Sequence, residues 1–371
     1  MNRIMVLSLL ALTYAYAATC AHGAATIPLP DGSLRQLRFS PDGQYVLAQD
    51  QAEVTVLTAK PLAVLFTIPA QNASDAHFTP DSRQVVFVSS EIQPDSRGPA
   101  FMGSPASVER WGIAERARIE STAIPALNCG TELLSPDGRV LACNDTQGTL
   151  SLIDVASGKA IFEKKKFSKW ILNYDYTQPL PLPTGVMGDP GRAAMDFSPD
   201  GRFIIALPTG GDGKILAWDL RERSAVRVQG VLRDGSFYFA FVAPGRVILS
   251  SARWRAKGRM VTARLADFPS GKVLAKAKLP LRPLFRAADP NYVALRPDYA
   301  ALRRFSRLVG RVDDPGPPAT LVEYSTGQTI VSQTPALDAF GQYYVAEPSP
   351  GTVGLYERGK GLQAAVALGE Q

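Results

Sequence analysis

A short phrase built on Pro, Asp and Gly recurs along the chain, and it restricts the fold more than any other feature. It reads FSPDG at Phe39, FTPDS at Phe78, LSPDG at Leu134 and FSPDG at Phe197. Looser versions follow as FVAPG at Phe241, LRPDY at Leu295 and DAFGQ at Asp338, which makes seven. Pro presets φ at about −65° for the first central position of a type I turn, Asp tolerates the second, and Gly takes the left-handed conformation after it. Each copy is therefore expected to join two antiparallel strands.

After each copy comes an apolar run such as QYVLA or RFIIAL, and then a second pair of strands around a polar turn. Those second pairs are EVTVLTAKPLAVLFTI, SVERWGIAERARIEST, TLSLIDVASGKAIFEK, KILAWDLRERSAVRVQ, MVTARLADFPSGKVLAKA, TLVEYSTGQTIVSQ and TVGLYERGKGLQAAVAL. Four strands per unit, seven units and no helix-period segment of any length predict an all-β fold. The expected architecture is a seven-bladed β-propeller of four-stranded antiparallel blades.

The run LSPDGRVLACND followed by GTLSLIDVASGK resembles the YVTN and WD40-like repeats of exported bacterial propellers. That broad group includes the propellers of amine dehydrogenases and of the cytochrome cd1 type. The resemblance extends over residues 24–371 and implies a single propeller domain. It implies no one activity, because such propellers include enzymes, electron-transfer subunits and scaffolds. The chain departs from eukaryotic WD40 repeats: one blade carries a Trp-Asp pair, Trp218-Asp219, and no Gly-His dipeptide begins a blade. The Asp-His-Ser-Trp network of those repeats is therefore not implied.

The segment MNRIMVLSLLALTYAYAATCAHGAAT has Arg3, an apolar run from Ile4 to Leu12, and small residues at A-x-A-like spacing. This reads as a secretory signal peptide over residues 1–23, and it is too short for a membrane anchor. Cleavage after Ala17 would leave Cys20 as an odd thiol, whereas cleavage after Gly23 removes it and leaves Cys129 and Cys143. A lipid anchor at Cys20 is the less favoured alternative, since Thr19 sits where a lipobox takes Gly, Ala or Ser. The expected location is periplasmic or secreted. In that compartment Cys129 and Cys143, on the two strands of one hairpin and almost equidistant from its turn, are expected to form a cross-strand disulfide; the competing reading is two reduced buried thiols. The chain carries 40 Lys and Arg against 34 Asp and Glu, a formal net charge of +6. This mild excess suits an anionic partner or plain solubility, and for an exported protein it does not point to nucleic acid.

In each blade the a-to-b and c-to-d turns lie on one rim, and the b-to-c and d-to-a connections on the other. The long insertions are all of the second kind: SSEIQPDSRGPAFMGSPA, KKKFSKWILNYDYTQPLPLPTGVMGDPGR, SARWRAKGR and RRFSRLVGRVDDPGPP. Loops this long are usually functional or disordered. Their basic and aromatic content nominates Lys169, Trp170, Tyr174 and Tyr176, then Arg253, Trp254, Arg255 and Arg259, then Arg303, Arg304, Arg307 and Arg311. Aromatic side chains beside Arg are what interface anchors and anionic-ligand sites use. The plainer reading makes the Lys164-Lys165-Lys166 run a solvated strand end and Trp170 a cap on the sheet beneath it.

Histidine occurs as His22 and His77, and His22 leaves with the signal peptide. One histidine assembles no His-based metal cluster, haem axial pair or Ser-His-Asp triad. His77, on an inner strand, reads as a satisfied core residue rather than a general base. No metal-spaced Cys pair or phosphate loop is present, TGGDGK at Thr209 reads as a turn, and no cofactor is expected. Glu91, Asp95, Asp175, Asp313 and Asp314 fall in the insertions with their separations unset. The expected function is a non-enzymatic platform for a protein or anionic ligand. The alternative is an enzyme of lactonase or quinoprotein-subunit type using rim carboxylates and arginines. Ring closure has two expected routes: a self-contained last blade, or a clasp by ATIPLP at Ala25 to Pro30, which resembles the strand ends FTIPAQ and AKLPLR.

Overall fold

A computed structural model of the chain describes residues 34, 36–50, 52–70, 73–90, 106–124, 129–145, 148–167, 194–207, 215–233, 237–251, 260–280, 284–286, 292–295, 320–323, 328–331 and 337–368. Their strands form seven four-stranded antiparallel sheets, each made of consecutive strands. The first sheet holds β1 (Gln36–Phe39), β2 (Tyr45–Gln49), β3 (Glu53–Ala59) and β4 (Leu62–Pro69). The second holds β5 (Ser74–Phe78), β6 (Gln84–Ser90), β7 (Ala106–Gly112) and β8 (Ala117–Ile124). The third holds β9 (Cys129–Leu134), β10 (Val140–Asp145), β11 (Leu150–Asp154) and β12 (Lys159–Lys164). The fourth holds β13 (Ala194–Phe197), β14 (Phe203–Leu207), β15 (Leu216–Asp219) and β16 (Ser224–Ala225). The fifth holds β17 (Phe237–Ala243), β18 (Arg246–Ser251), β19 (Met260–Asp267) and β20 (Val273–Pro280). The sixth holds β21 (Leu284–Arg286), β22 (Tyr292–Leu295), β23 (Thr320–Glu323) and β24 (Gln328–Val331). The last holds β25 (Leu337–Phe340), β26 (Tyr343–Ala346), β27 (Thr352–Glu357) and β28 (Gly361–Ala367).

The apolar runs of the first four sheets are continuous rather than alternating because each of these sheets is covered on both faces. Along β6, Val85 and Phe87 pack with Leu47 and Val56 of the first sheet. Val86 and Val88 between them pack with Leu134 and Leu141 of the third. Along β14 the same period of two sends Ile204 toward Leu150 and Leu152, and Ile205 toward Phe239 and Leu249. Val345, Val353 and Leu355 of the last sheet join Leu37, Phe39 and Val46 of the first. A closed stack of twisted sheets of this kind is a β-propeller. First strands lie side by side, β1 with β25 and β17 with β21, so they line the axis and the fourth strands face outward.

Six sheets pack as blades through described side chains, one fewer than the seven expected. The side chains of the remaining sheet, β21–β24, lie outside the described residues, and its backbone sits with β21 beside β17 and β23 beside β25.

The recurrent phrase closes its hairpins through a repeated set of bonds. Gly43, Ser82, Gly138 and Gly201 each donate their N–H to the carbonyl three residues earlier, at 2.7 to 2.9 Å, and all four have φ between 59° and 71°. The hydroxyl that opens the phrase donates to the Asp two residues on: Ser40 to Asp42, Thr79 to Asp81, Ser135 to Asp137 and Ser198 to Asp200. The same hydroxyl accepts the N–H that begins the next strand, from Tyr45, Gln84, Val140 and Phe203. Ser and Asp thus satisfy backbone donors that a bare turn would leave to water.

Two local expectations change. The sixth a-to-b connection falls within residues 287–291, because YVAL, Tyr292–Leu295, forms β22 and pairs with β21 rather than serving as a first strand. LRPDY therefore begins on the last residue of the second strand, and its remaining residues, 296–299, lie outside the described residues. In the fourth sheet SAVRVQ pairs over Ser224–Ala225 alone. The chain then leaves the edge and makes a 3-10 turn, Gly230–Arg233, that buries Leu232 against Phe239 and Leu249. Close contact with the Pro269–Gly271 turn fixes this wedge: Gln229 donates to the Pro269 carbonyl at 3.1 Å. A Cβ on Gly230 would stand 2.6 Å from the Gly271 carbonyl oxygen, and both glycines have positive φ. Gly271→Ala is expected to cost about 2–3 kcal/mol, read from urea unfolding. A wild-type midpoint would show that the wedge does not hold the two blades.

The last blade draws all four strands from residues 337–367, as in the self-contained route to closure. ATIPLP lies outside the described residues, as do residues 1–33 as a whole.

Candidate functional site

Because consecutive strands reverse direction, every b-to-c and d-to-a connection begins and ends at the same end of its sheet. The four long segments obey this. Residues 91–105 join β6 to β7, 165–193 join β12 to β13, 252–259 join β18 to β19, and 296–319 join β22 to β23. At the other end, the a-to-b turns of the first four sheets are short and closed by the Ser-Asp or Thr-Asp bonding described above. The long segments therefore spring from one rim of the propeller.

Lys169, Trp170, Tyr174, Tyr176, Arg253, Trp254, Arg255, Arg259, Arg303, Arg304, Arg307 and Arg311 all lie outside the described residues, and so do Glu91, Asp95, Asp175, Asp313 and Asp314. What is described on this rim is its foundation. Lys165 pairs with Glu163 at 3.8 Å with both side chains well exposed, an arrangement worth well under about 1 kcal/mol. Phe167 is buried and donates its N–H to the Gly148 carbonyl at 2.8 Å, turning the chain back onto the third blade. Lys164, Lys165 and Lys166 are exposed at the end of β12.

The same rim holds the disulfide between Cys129 and Cys143, whose Cα atoms are 5.3 Å apart. In the register of β9 and β10, Cys129 stands opposite Asp145 and Cys143 opposite Glu132, so the two cysteines are diagonal neighbours. Both are buried among Val86, Val88 and Val108 of the second blade. The bond ties together the two strands of one hairpin where they pack on the neighbouring blade.

Polar groups on the inner strands stitch blades together. Asp338 accepts the Phe39 N–H at 2.8 Å across the junction of the last and first blades, and Asp196 accepts the Phe241 N–H at 2.7 Å. Each Asp precedes the residue that heads the turn region of its blade. His77 occupies the matching place in the second blade, buried, with Nε2 3.1 Å from the Ser135 carbonyl of the third. It is a core histidine. Gln36 and Gln49, opposite each other on β1 and β2, donate their amides to the Ala76 and Ala73 carbonyls of the second blade. Glu347 accepts the Leu34 and Gly351 N–H groups at 2.8 and 2.9 Å, and burial pushes its carboxyl up despite those donors. The sequence signals for these residues were faint: an Asp before the turn in MDFSPD and LDAF, with no hint of its partner.

On the hairpin rim, Trp218-Asp219 performs a structural task. Arg202 donates to Asp219 Oδ2 through Nε and Nη2 at 2.9 and 2.8 Å, and Oδ1 accepts from Arg221 and Glu222. Burial alone would raise the Asp219 carboxyl, but Arg202 and those two N–H groups outweigh it and hold it below the usual range. Trp218 lies against Phe162, ring centroids 4.2 Å apart. Among the described residues no three His, Cys, Asp or Glu side chains are placed to hold a metal ion, and no helix is long and apolar enough to cross a membrane. No family model matches the chain, and no curated protein matches its sequence.

Proposed function

We propose that the protein is an exported, non-enzymatic propeller of the YVTN and WD40-like group, with β21–β24 as its seventh blade, that holds a protein or anionic ligand on the rim bearing its long connections. The observation that carries this reading is their placement: four long segments spring from one end of the sheets, while the opposite end is finished with tight turns. Asymmetry of this kind concentrates adaptable surface on one face of a rigid scaffold. Two of the described inner-strand carboxylates favour a platform over chemistry at the axis. Asp196 and Asp338 are committed to backbone donors of the neighbouring blade. The basic and aromatic residues of the long segments supply the recognition. Opposite charges attract by roughly 1 kcal/mol at 4 Å in water and by several times more where partly desolvated. The affinity is therefore salt-sensitive.

The test is a variant with Arg253, Trp254 and Arg255 all changed to Ala, compared with wild type in pull-downs from the native compartment at low and high salt. Partner capture is expected to be lost while unfolding free energy stays within about 1 kcal/mol. Unchanged recovery, or a large loss of folding, would make these residues structural cover. N-terminal sequencing of the recovered protein checks export, with Ala24 expected as the first residue.

A further inference from the structure

Side chains that stand directly opposite across neighbouring strands start about 5 Å apart at Cβ, so opposite charges there stabilise a sheet and like charges weaken it. Among the described strands, Arg110 stands opposite Glu120, Asp154 opposite Lys159 and Arg246 opposite Asp267, each pair of opposite sign. Arg264 of β19 breaks this pattern, because its partner on β20 is Lys276. Both are exposed, and among the described residues no carboxylate stands within ion-pair distance of either. Strands β18 and β20 contain no acidic residue. Asp267, three residues on from Arg264, belongs to the opposite face of β19 and accepts from Ser270.

The ground in front of the pair is set by the fourth sheet. Arg264 shares its face with Leu249, its partner on β18, and Leu249 packs with Ile205 and Leu207, so this face turns toward the fourth sheet. Strands β4, β8, β12, β20 and β28 run for six to eight residues, whereas β16 has two. Val226 makes one more bond to the edge of β15, at the Ala217 carbonyl, and by Gln229 the chain is bonded to Pro269 in the c-to-d turn of the fifth sheet. The half of the wall nearer the long segments therefore has no described outer strand in front of Arg264 and Lys276. Half-buried Ile215, Val226 and Val228 edge this strip with apolar surface.

We propose that the strip takes an extended acidic segment of a protein partner, lying where β16 would continue, with a carboxylate set between Arg264 and Lys276. Arg264 offers a planar fork and Lys276 a second charge, the charge-assisted bonding that carboxylates take most strongly. The repulsion within the pair is relieved when the carboxylate arrives. The apolar edge gives contact to a polypeptide that a bare anion has no means to use. This site goes beyond the capture proposed for the long segments and does not rest on it: Arg264 lies about 13 Å of strand from Met260, where β19 begins at that rim.

Fluorescence anisotropy of a labelled peptide of alternating Glu and Val, titrated with the purified chain, tests this against a control peptide of alternating Gln and Val. The Glu peptide is expected to bind saturably, less tightly as salt rises, and about tenfold or more tighter than the Gln peptide. Arg264→Gln with Lys276→Gln is expected to weaken the Glu peptide by about the same factor and to raise the urea midpoint, since the like charges are gone. Lys276→Glu alone serves as a second variant, expected to raise the midpoint and abolish binding of the Glu peptide. The chain with Arg253, Trp254 and Arg255 changed to Ala is expected to bind the peptide as wild type does, which separates this site from the rim. A Glu peptide that binds no better than the Gln peptide, that binds both wall variants as tightly as wild type, or that is lost in the rim variant instead overturns the proposal. Displacement of the peptide by an equimolar amount of inorganic phosphate also overturns it, by making the pair a site for a free anion.

Discussion

Replacing Cys129 and Cys143 together by alanine is expected to lower the unfolding free energy by about 3–5 kcal/mol, a loss visible as a shifted urea midpoint. The bond closes a loop with a sequence separation of 14. For a loop of that size, releasing the unfolded chain accounts for about 3 kcal/mol. The folded side adds to this, since both sulfurs sit in the apolar cluster with Val86, Val88 and Val108 and alanine leaves part of that space empty. The effect should be local in origin: hydrogen exchange should quicken first at β9 and β10 and in the facing strand β6. The oxidised chain should also yield no reactive thiol when denatured after loss of residues 1–23. A double variant within about 0.5 kcal/mol of wild type would mean that the packing of the second and third blades restrains this hairpin without the bond.

What the sequence disclosed and what it hid divide by the range of the interactions. Phe39-Ser40-Pro41-Asp42-Gly43 and its copies are self-contained: every bond that closes the turn lies within five residues. Such a unit is readable wherever it occurs. The slip in the sixth unit came from competing local signals, because Asp289-Pro290-Asn291 and Pro297-Asp298 both carry turn chemistry and YVAL between them fits either neighbouring strand. The short fourth strand, Ser224–Ala225, was hidden for a different reason. SAVRVQ has strand-like alternation, and it is diverted by Gly271, which lies far along the chain in the next blade. The inner-strand acids are the extreme case, with Asp338 and Phe39 separated by 299 residues. The rim of long connections was legible from spacing alone, because turn phrases fix which end of a blade each segment leaves. The arrangement of side chains within that rim follows no repeat, so spacing carries no information about it.

Ring closure offers the sharpest contrast between two buried acids. Asp338 bridges the last and first blades by accepting the N–H of Phe39 through Oδ2 and that of Ala339 through Oδ1. Asp338→Ala strands both donors in a buried junction and is expected to cost about 3 kcal/mol. Asp338→Asn keeps one carbonyl acceptor and should cost less. Glu347 closes the same junction, but its two donors, Leu34 and Gly351, both meet Oε1. Burial raises its carboxyl above the ordinary glutamate range, so the folded protein holds this proton more tightly than the unfolded chain does. The sign then follows: its contribution to stability is fully present in acid and is lost as pH rises from the ordinary glutamate range through the raised folded value. Glu347→Gln preserves an oxygen for both donors and removes the charge. This variant is expected to match or exceed wild type at neutral pH and to lose that part of the pH dependence, while Asp338→Ala weakens the fold under the same conditions. Chemical unfolding of the three proteins across the acidic range decides the matter. A Glu347→Gln chain that is weaker at neutral pH, or that keeps the wild-type slope, would show that the ionised carboxylate is what the junction requires.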